Sequence, residues 1–228
     1  MARGVARAFP PGRSAAAPVI ALVMSVAACG SPNYTYVKNS SAQTYFKVPV
    51  EWNKIEQKAL DAAISSDDPD SAAARLRPKV SWSVAYDAHR SPDPNHLFGL
   101  GTDQPFVYAI VRPLTRDERG SISLDRLRDA FLPVTEQSRR TVAEQGSPLT
   151  GFELLRDEEL KPKGGIRGVR TAYNYRLPPM PFLQTFDVTS YVSDEGRLYV
   201  MVVRCSARCF LDRADELDAV ARSFTVRT

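Results

Sequence analysis

The stretch Leu198-Tyr199-Val200-Met201-Val202-Val203 is an unbroken run of apolar and aromatic residues, and Phe106-Val107-Tyr108-Ala109-Ile110-Val111 is a second such run. Both are rich in β-branched and aromatic side chains, which favours strands. A strand with one face in water alternates apolar and polar residues, and neither run does so. The two runs therefore predict strands that are covered on both faces, inside a sheet that lies between two other layers.

Shorter strands are expected on either side of these two. The segments 45–52 and 80–86 predict strands early in the chain, and Pro49 marks an edge strand or a strand end because proline cannot donate to a ladder. Later, alternating runs at 169–177 and 186–192 follow one another with turn residues nearby. Consecutive strands of this kind predict an antiparallel meander.

Three segments have the apolar spacing of helices, namely 56–64, 123–144 and 213–223. Pro133 lies deep within the second of them, so that helix should kink or split in two. Asp212 is the expected N-cap of the last helix.

The order of elements carries a resemblance to a known group. An opening strand ends at Val48-Pro49-Val50-Glu51-Trp52, a turn leads into Leu198-Tyr199-Val200, and Ser223-Phe224-Thr225-Val226 follows the last helix. This order resembles the Mog1/PsbP-like superfamily, and within it the LpqN-type actinobacterial lipoproteins. The resemblance implies an α+β fold, an α/β/α sandwich with a central, mostly antiparallel sheet flanked by helices. It also implies an accessory or binding role, although a fold does not by itself set function.

Residues 1–28 have the three parts of an export signal: a start with three arginines, an apolar stretch, and small residues at its end. The apolar stretch is shorter than the roughly 20 residues that span a bilayer. Because Cys29 follows it directly, we expect a lipoprotein signal peptide, with diacylglyceryl and palmitate chains on Cys29 holding the protein on the extracytoplasmic face of the cell membrane. An ordinary secretory signal cut at Ala28, with an incidental cysteine, is the alternative.

The rest of the chain is expected to form a lipidated tether at 29–41 and one globular domain at 42–228. A flexible tether of this length spans about 20 Å. Of the 30 basic and 26 acidic residues, three basic ones and no acidic one lie in 1–28, which leaves 27 against 26. A nearly neutral domain does not favour nucleic-acid binding, which needs a basic face.

Cys205 and Cys209 lie four positions apart. Cysteines at this spacing can be bridged across a turn, and thiols outside the cytoplasm tend to oxidise, so we expect a disulfide. A redox pair of the thioredoxin type has two intervening residues, and zinc would need two more ligands. The chain has only His89 and His96 as histidines.

These two histidines share a loop with Asp87, Asp93 and Asp103, which are possible metal ligands. Nothing in the spacing forms a site in advance, so we expect solvated imidazoles and no metal or cofactor. The sequence has no nucleophile elbow, metalloprotease helix or phosphate-binding glycine loop, and no catalytic residue is assigned.

Residues 177–183 contain three prolines between two predicted strands. Met180 and Phe182 are candidate partner contacts if they are exposed. The alternative is that both side chains fold back over the sheet.

Together these patterns predict a membrane-anchored, non-catalytic binding or accessory module for an envelope or secreted partner. A small-ligand carrier is the second hypothesis, and it would need a large apolar pocket. A hydrolase is the third and weakest, and it would need buried, pKa-perturbed acids in a cleft.

Overall fold

The computed structural model of the chain describes Met1 and residues 33–64, 80–100 and 102–227. The predicted signal peptide and Cys29 lie outside the described residues. Residues 32–228 form one compact unit, and its architecture follows.

Two antiparallel sheets form the frame of this unit. The strands are β1 Tyr34–Asn39, β2 Thr44–Pro49, β3 Asn53–Lys54, β4 Trp82–Asp87, β5 Phe106–Pro113, β6 Thr150–Leu160, β7 Ile166–Arg176, β8 Leu183–Ser193, β9 Arg197–Ser206 and β10 Thr225–Val226. Within the described residues, the larger sheet has the order β3-β4-β5-β9-β8-β7-β6, and the smaller one has the order β1-β2-β10. The predicted meander is the run of antiparallel neighbours from β6 to β9.

The helices are α1 Gln57–Ile64, α2 Arg116–Ser121, α3 Leu124–Arg128, α4 Glu136–Glu144, α5 Ala207–Asp212 and α6 Ala214–Arg222, with a 3-10 helix at Pro94–Phe98. Across the ranges that the structure describes, no helix is both long enough and apolar enough to cross a membrane.

The two wholly apolar runs lie side by side at the centre of the larger sheet, since β5 pairs with β9 from Phe106 to Pro113. In β9, Val200 and Val202 belong to one hydrophobic core. Tyr199, Met201 and Val203 belong to the other. The prediction of strands covered on both faces is therefore confirmed.

The two cores make this a three-layer molecule. On one face of the larger sheet, Leu60 of α1 and Leu127 of α3 pack with Tyr173 and Phe186. On the opposite face, Phe46 of the smaller sheet packs with residues of α6. The α+β sandwich with a central antiparallel sheet is confirmed, and one of its outer layers is itself partly a sheet.

The prediction of a tether at 29–41 is wrong for its second half. Residues Tyr34–Asn39 form β1, which pairs with β2 along its whole length. Only Val37 of this strand is buried; Thr35 and Asn39, on the same face, are half-buried, and the alternate residues point outward. A strand with a single buried residue gives almost no apolar signal.

The long helix expected at 123–144 is split, as Pro133 predicts, into α3 and α4. The carboxylate of Asp129 organises the break: its Oδ1 accepts hydrogen bonds from the backbone nitrogens of Val134 at 2.7 Å and Thr135 at 2.8 Å.

The expected N-cap at Asp212 is wrong, because Asp212 ends α5 and Arg213 occupies the cap position of α6.

Candidate interaction surface

The loop between β7 and β8 buries one of the two predicted contact residues and exposes the other. Met180 is 8% exposed and belongs to the core under the helices. Its backbone nitrogen donates to the carbonyl of Leu177 at 3.0 Å, which closes a tight turn in the loop. The prediction of Met180 as a partner contact is therefore wrong. Phe182 is 41% exposed, so it stays a candidate.

A second exposed apolar segment lies on strand β6. Among the described residues β6 pairs only with β7, so its other edge is open. Leu154 and Leu155 of this strand are 47% and 48% exposed. The register shifts on either side of Leu154, an irregularity that bends an edge strand and re-aims its side chains.

Phe182 lies at the same end of the sheet as the start of β6. The neighbouring Leu183 reaches across β7, and its Cδ2 atom would be 3.0 Å from a side chain built on Gly151. Leu154 follows Gly151 by three residues, or about 10 Å along a strand. We refer to Leu154, Leu155 and Phe182 as the β6 surface.

The strand that carries this surface is held firmly from the helical side. Arg128 of α3 donates to both carboxylate oxygens of Asp157 at 3.0 Å. Arg139 of α4 lies over the ring of Phe152, with its guanidinium carbon 4.1 Å from the ring centroid. Because these contacts fix β6, the two exposed leucines are presented on a rigid element, which reduces the entropy lost on binding.

On the other face, a buried ion-pair network ties the meander to α6. Arg170 donates to the two oxygens of Asp187 at 2.8 and 2.6 Å and to Asp218 of α6 at 2.8 Å. Burial alone would lower the pKa of Arg170, but the two carboxylates outweigh burial and raise it. The network keeps α6 in place over β7 and β8.

The histidine loop is built around Asp87, which is fully buried at the end of β4. Its carboxylate accepts from the backbone nitrogens of His89 at 2.8 Å and Asp93 at 3.1 Å, and it contacts Nδ1 of His96 at 2.6 Å. His96 is buried, so the expectation of solvated imidazoles is wrong for this residue. The ring of His89 lies edge-on to it at 4.9 Å.

Arg204 holds the same loop from the other side. It is fully buried at the end of β9, and its guanidinium donates to the carbonyls of Gln104 at 2.9 Å and Thr102 at 3.3 Å. Burial lowers the pKa of Arg204 to about 10, although Asp87 and Asp103 oppose the shift. Gly99 has a φ of 78°, and a side chain there would lie 2.8 Å from the Arg204 guanidinium. The backbone at residue 99 therefore lies so close to Arg204 that only glycine fits there.

The Asp87–His96 pair could in principle orient an imidazole for proton transfer. The same carboxylate also holds two backbone nitrogens, so it closes the loop as well as holding the imidazole. Within the described ranges, no group of three or more His, Cys, Asp or Glu side chains is placed to hold a metal ion. Asp93 acts as the N-cap of the 3-10 helix, and the Asp103 carbonyl accepts from the backbone nitrogen of Ser206 at 3.3 Å.

A groove of about 1220 Å³ lies beside α2, α3 and α4. It is open to solvent, and charged and hydroxyl side chains dominate its lining, with Arg112, Glu118 and Asp129 among them. Hydrogen bonds from Arg112 and from the Thr115 backbone lower the pKa of Glu118 to about 2. A carrier of apolar ligands needs an enclosed, apolar pocket, and this groove is neither.

Cys205 and Cys209 are joined by a disulfide, with their Cα atoms 5.8 Å apart. The bond connects the end of β9 to the first turn of α5. It follows Arg204 directly, so the disulfide and the buried arginine together fix the end of this central strand.

No protein-family model matches the sequence, and no curated protein sequence matches it either. Among solved structures, the chain is similar to cyanobacterial PsbP (CyanoP) from Synechocystis sp. PCC 6803. The TM-score is 0.51 at 13% identity, over 90% of this chain and 99% of that chain. The fold is PsbP-like. A protein of unknown function from Pseudomonas aeruginosa, PA94, gives a TM-score of 0.39 at 9% identity, over 86% of this chain and 99% of that one, which is too low to establish a shared fold.

Proposed function

We propose that this protein is a lipoprotein of the LpqN type, anchored through Cys29 on the extracytoplasmic face of the cell membrane, whose PsbP-like domain binds a protein partner without catalysing a reaction. The observation that carries the proposal is the β6 surface, in which Leu154 and Leu155 are exposed on an open-edged strand and Phe182 is exposed in the loop between β7 and β8. Scattered exposed apolar residues are ordinary on protein surfaces, but two adjacent exposed leucines on an open edge strand favour a docking site.

The anchor is supported by the pattern of residues 1–29 and by the short distance from Cys29 to the domain. Strand β1 begins at Tyr34, five residues after Cys29. A chain of five residues reaches at most about 18 Å when fully extended. A lipid on Cys29 would therefore keep the domain next to the headgroups, where its partner must also be found.

The anchor is tested by metabolic labelling with an alkyne fatty acid in the native bacterium. We expect the wild-type protein to take up the label and the Cys29→Ala variant to take up none. Label on the Cys29→Ala variant would contradict attachment at this residue.

The partner is tested by crosslinking and mass spectrometry in the native envelope, comparing wild type with Phe182→Asp and Leu155→Asp. Both side chains are about half exposed, so these variants should fold. A carboxylate in an apolar contact costs several kcal/mol, so the crosslinked partner should fall to background.

Val80→Asp is the matched control, because Val80 is an exposed apolar residue just before β4, on the opposite side of the larger sheet from β6. It should leave the partner unchanged. An unchanged set of crosslinked proteins in the two β6-surface variants would refute the role of this surface, whereas the labelling experiment judges the anchor separately.

A further inference from the structure

The outer face of the smaller sheet carries a regular arrangement of aromatic and basic residues. Tyr34 and Tyr36 of β1 alternate with inward-facing residues, as do Tyr45 and Lys47 of β2, and Lys38 completes the outward set. In the register of the sheet, Tyr36 lies opposite Lys47 and Lys38 lies opposite Tyr45. Each lysine therefore has a tyrosine as its cross-strand neighbour.

These side chains contact one another and face outward. The rings of Tyr36 and Tyr45 stack with their centroids 6.1 Å apart. Nζ of Lys47 lies 4.0 Å from the centre of the Tyr34 ring. Tyr36 is 62% exposed, and on the opposite side of the same strand Val37 is buried.

The charge of this face has one sign. The three strands of the smaller sheet and the turn at 40–43 contain no Asp or Glu. Neither Lys38 nor Lys47 forms an ion pair with a carboxylate of the described residues. One arginine adds a further positive charge beside the turn: Nη1 of Arg197 donates to the carbonyl of Ser41 at 2.8 Å.

We propose that this face, defined by Tyr34, Tyr36, Lys38, Tyr45 and Lys47 and called here the Tyr/Lys face, lies on the surface of an anionic phospholipid membrane. The inference rests on the proposed anchor, because β1 begins five residues after Cys29. An attached lipid would hold the start of this strand within about 18 Å of the headgroups.

The chemistry of the face matches a lipid surface. Tyrosine is enriched where membrane meets water, because its ring is apolar and its hydroxyl is polar. Each lysine close to an anionic surface contributes about 1 kcal/mol. A basic patch is also the usual second signal that strengthens a lipid anchor. The first acidic residue after β2 is Glu51, which lies two positions beyond the end of the strand and so is not part of the Tyr/Lys face.

The test uses residues 32–228, a compact unit whose two cores contain only its own residues. This protein lacks Cys29, so it reports on the Tyr/Lys face without the anchor. Co-sedimentation is measured with vesicles of phosphatidylglycerol and phosphatidylcholine in equal parts, and with vesicles of phosphatidylcholine alone. We expect binding to the anionic vesicles only, weakened by added salt.

Lys38→Glu/Lys47→Glu should lower the partition onto anionic vesicles at least about 30-fold, which corresponds to about 1 kcal/mol for each lysine. Tyr36→Ser should lower it by a smaller factor. Lys161→Glu/Lys163→Glu is the matched control, since it makes the same change of charge on the exposed segment between β6 and β7. It should reduce binding much less.

The proposal is overturned if residues 32–228 do not bind anionic vesicles, or if the control pair loses as much binding as the face pair. It is also overturned if the face pair alters crosslinked proteins and leaves vesicle binding unchanged, since a protein would then occupy the face. If vesicle binding persists but Cys29 takes up no fatty acid, the proposed anchor is refuted and membrane binding by the Tyr/Lys face is not.

Discussion

Arg170 offers the sharpest test of what holds α6 against the sheet. This guanidinium is 3% exposed and its main partner Asp187 is 1% exposed, and two hydrogen bonds join them. Arg170→Met keeps most of the apolar stem and removes the charge. Asp187 then remains buried, with only Arg156 Nη1 beside it at 3.2 Å.

Removing one partner of a buried ion pair costs about 3–5 kcal/mol, because the other charge is left without compensation. Arg156 is partly exposed and still contacts Asp187, so we expect a loss near the lower limit, about 3 kcal/mol. The double variant Arg170→Met/Asp187→Leu should be more stable than Arg170→Met alone, because it leaves no orphaned charge.

The free energy of unfolding is measured by urea titration of each variant, followed by circular dichroism. Asp218→Asn is the control: this carboxylate is more than a third exposed, so its loss should cost at most about 1 kcal/mol. The reasoning is refuted if Arg170→Met costs less than about 1 kcal/mol, or if the double variant is no more stable than the single one.

Three further outcomes are expected. The hydrogen bond from Arg112 lowers the pKa of Glu118 to about 2, so the charged form of Glu118 stabilises the fold above the usual glutamate pKa, and this stabilisation is lost as the pH falls from about 4.5 to 2. Glu118→Gln should therefore flatten the acid limb of a plot of unfolding free energy against pH, and an unaltered limb would contradict this. Cys205→Ala/Cys209→Ala should lower the free energy of unfolding by about 2 kcal/mol in a denaturant titration, and wild type in reductant should be as unstable as this variant. If the variant is as stable as oxidised wild type, the disulfide does not stabilise the fold. Met180→Ala should cost about 2–5 kcal/mol by the same titration, as for a core residue, whereas a cost below about 0.5 kcal/mol would place its side chain at the surface.

The centre of the fold follows from the sequence because its signal is strong. Strands β5 and β9 are apolar or aromatic at every position of the two runs, whereas a strand with one solvated face typically alternates apolar and polar residues. Pro133 predicts the division of the helical region because proline inside a helix removes a backbone donor and clashes with the preceding turn. These features depend on a few adjacent residues and not on distant partners.

The smaller sheet could not be predicted in the same way. Strand β1 has one buried residue, Val37, and β10 has two residues in all. Both are strands because β2 lies between them, and a pairing between residues 45 and 225 leaves no trace in a local pattern. The alternation of tyrosine and lysine in β1 is visible in the sequence, but a segment with so few buried residues has the composition of a flexible tether.

The candidate site is only partly predictable from sequence. The proline-rich loop marks Phe182, but the same pattern does not tell which side chain points inward, and Met180 is buried. Leu154 and Leu155 were missed because a register irregularity, invisible in sequence, turns edge residues outward. Asp87 and Arg204 had a usable signal, since each charge follows an apolar strand that ends in the core.

The pairing of β10 with β2 sets a condition on how the protein reaches its folded state. Thr225 pairs with Tyr45, so this sheet joins residues 180 positions apart. Contacts of such long sequence separation form slowly, because a long loop must close before they stabilise anything. A chain exported N-terminus first, in the proposed way, cannot complete the sheet until residue 225 has crossed the membrane. In the proposed export, the smaller sheet would therefore gain its last strand only after the seven strands of the larger sheet have crossed the membrane.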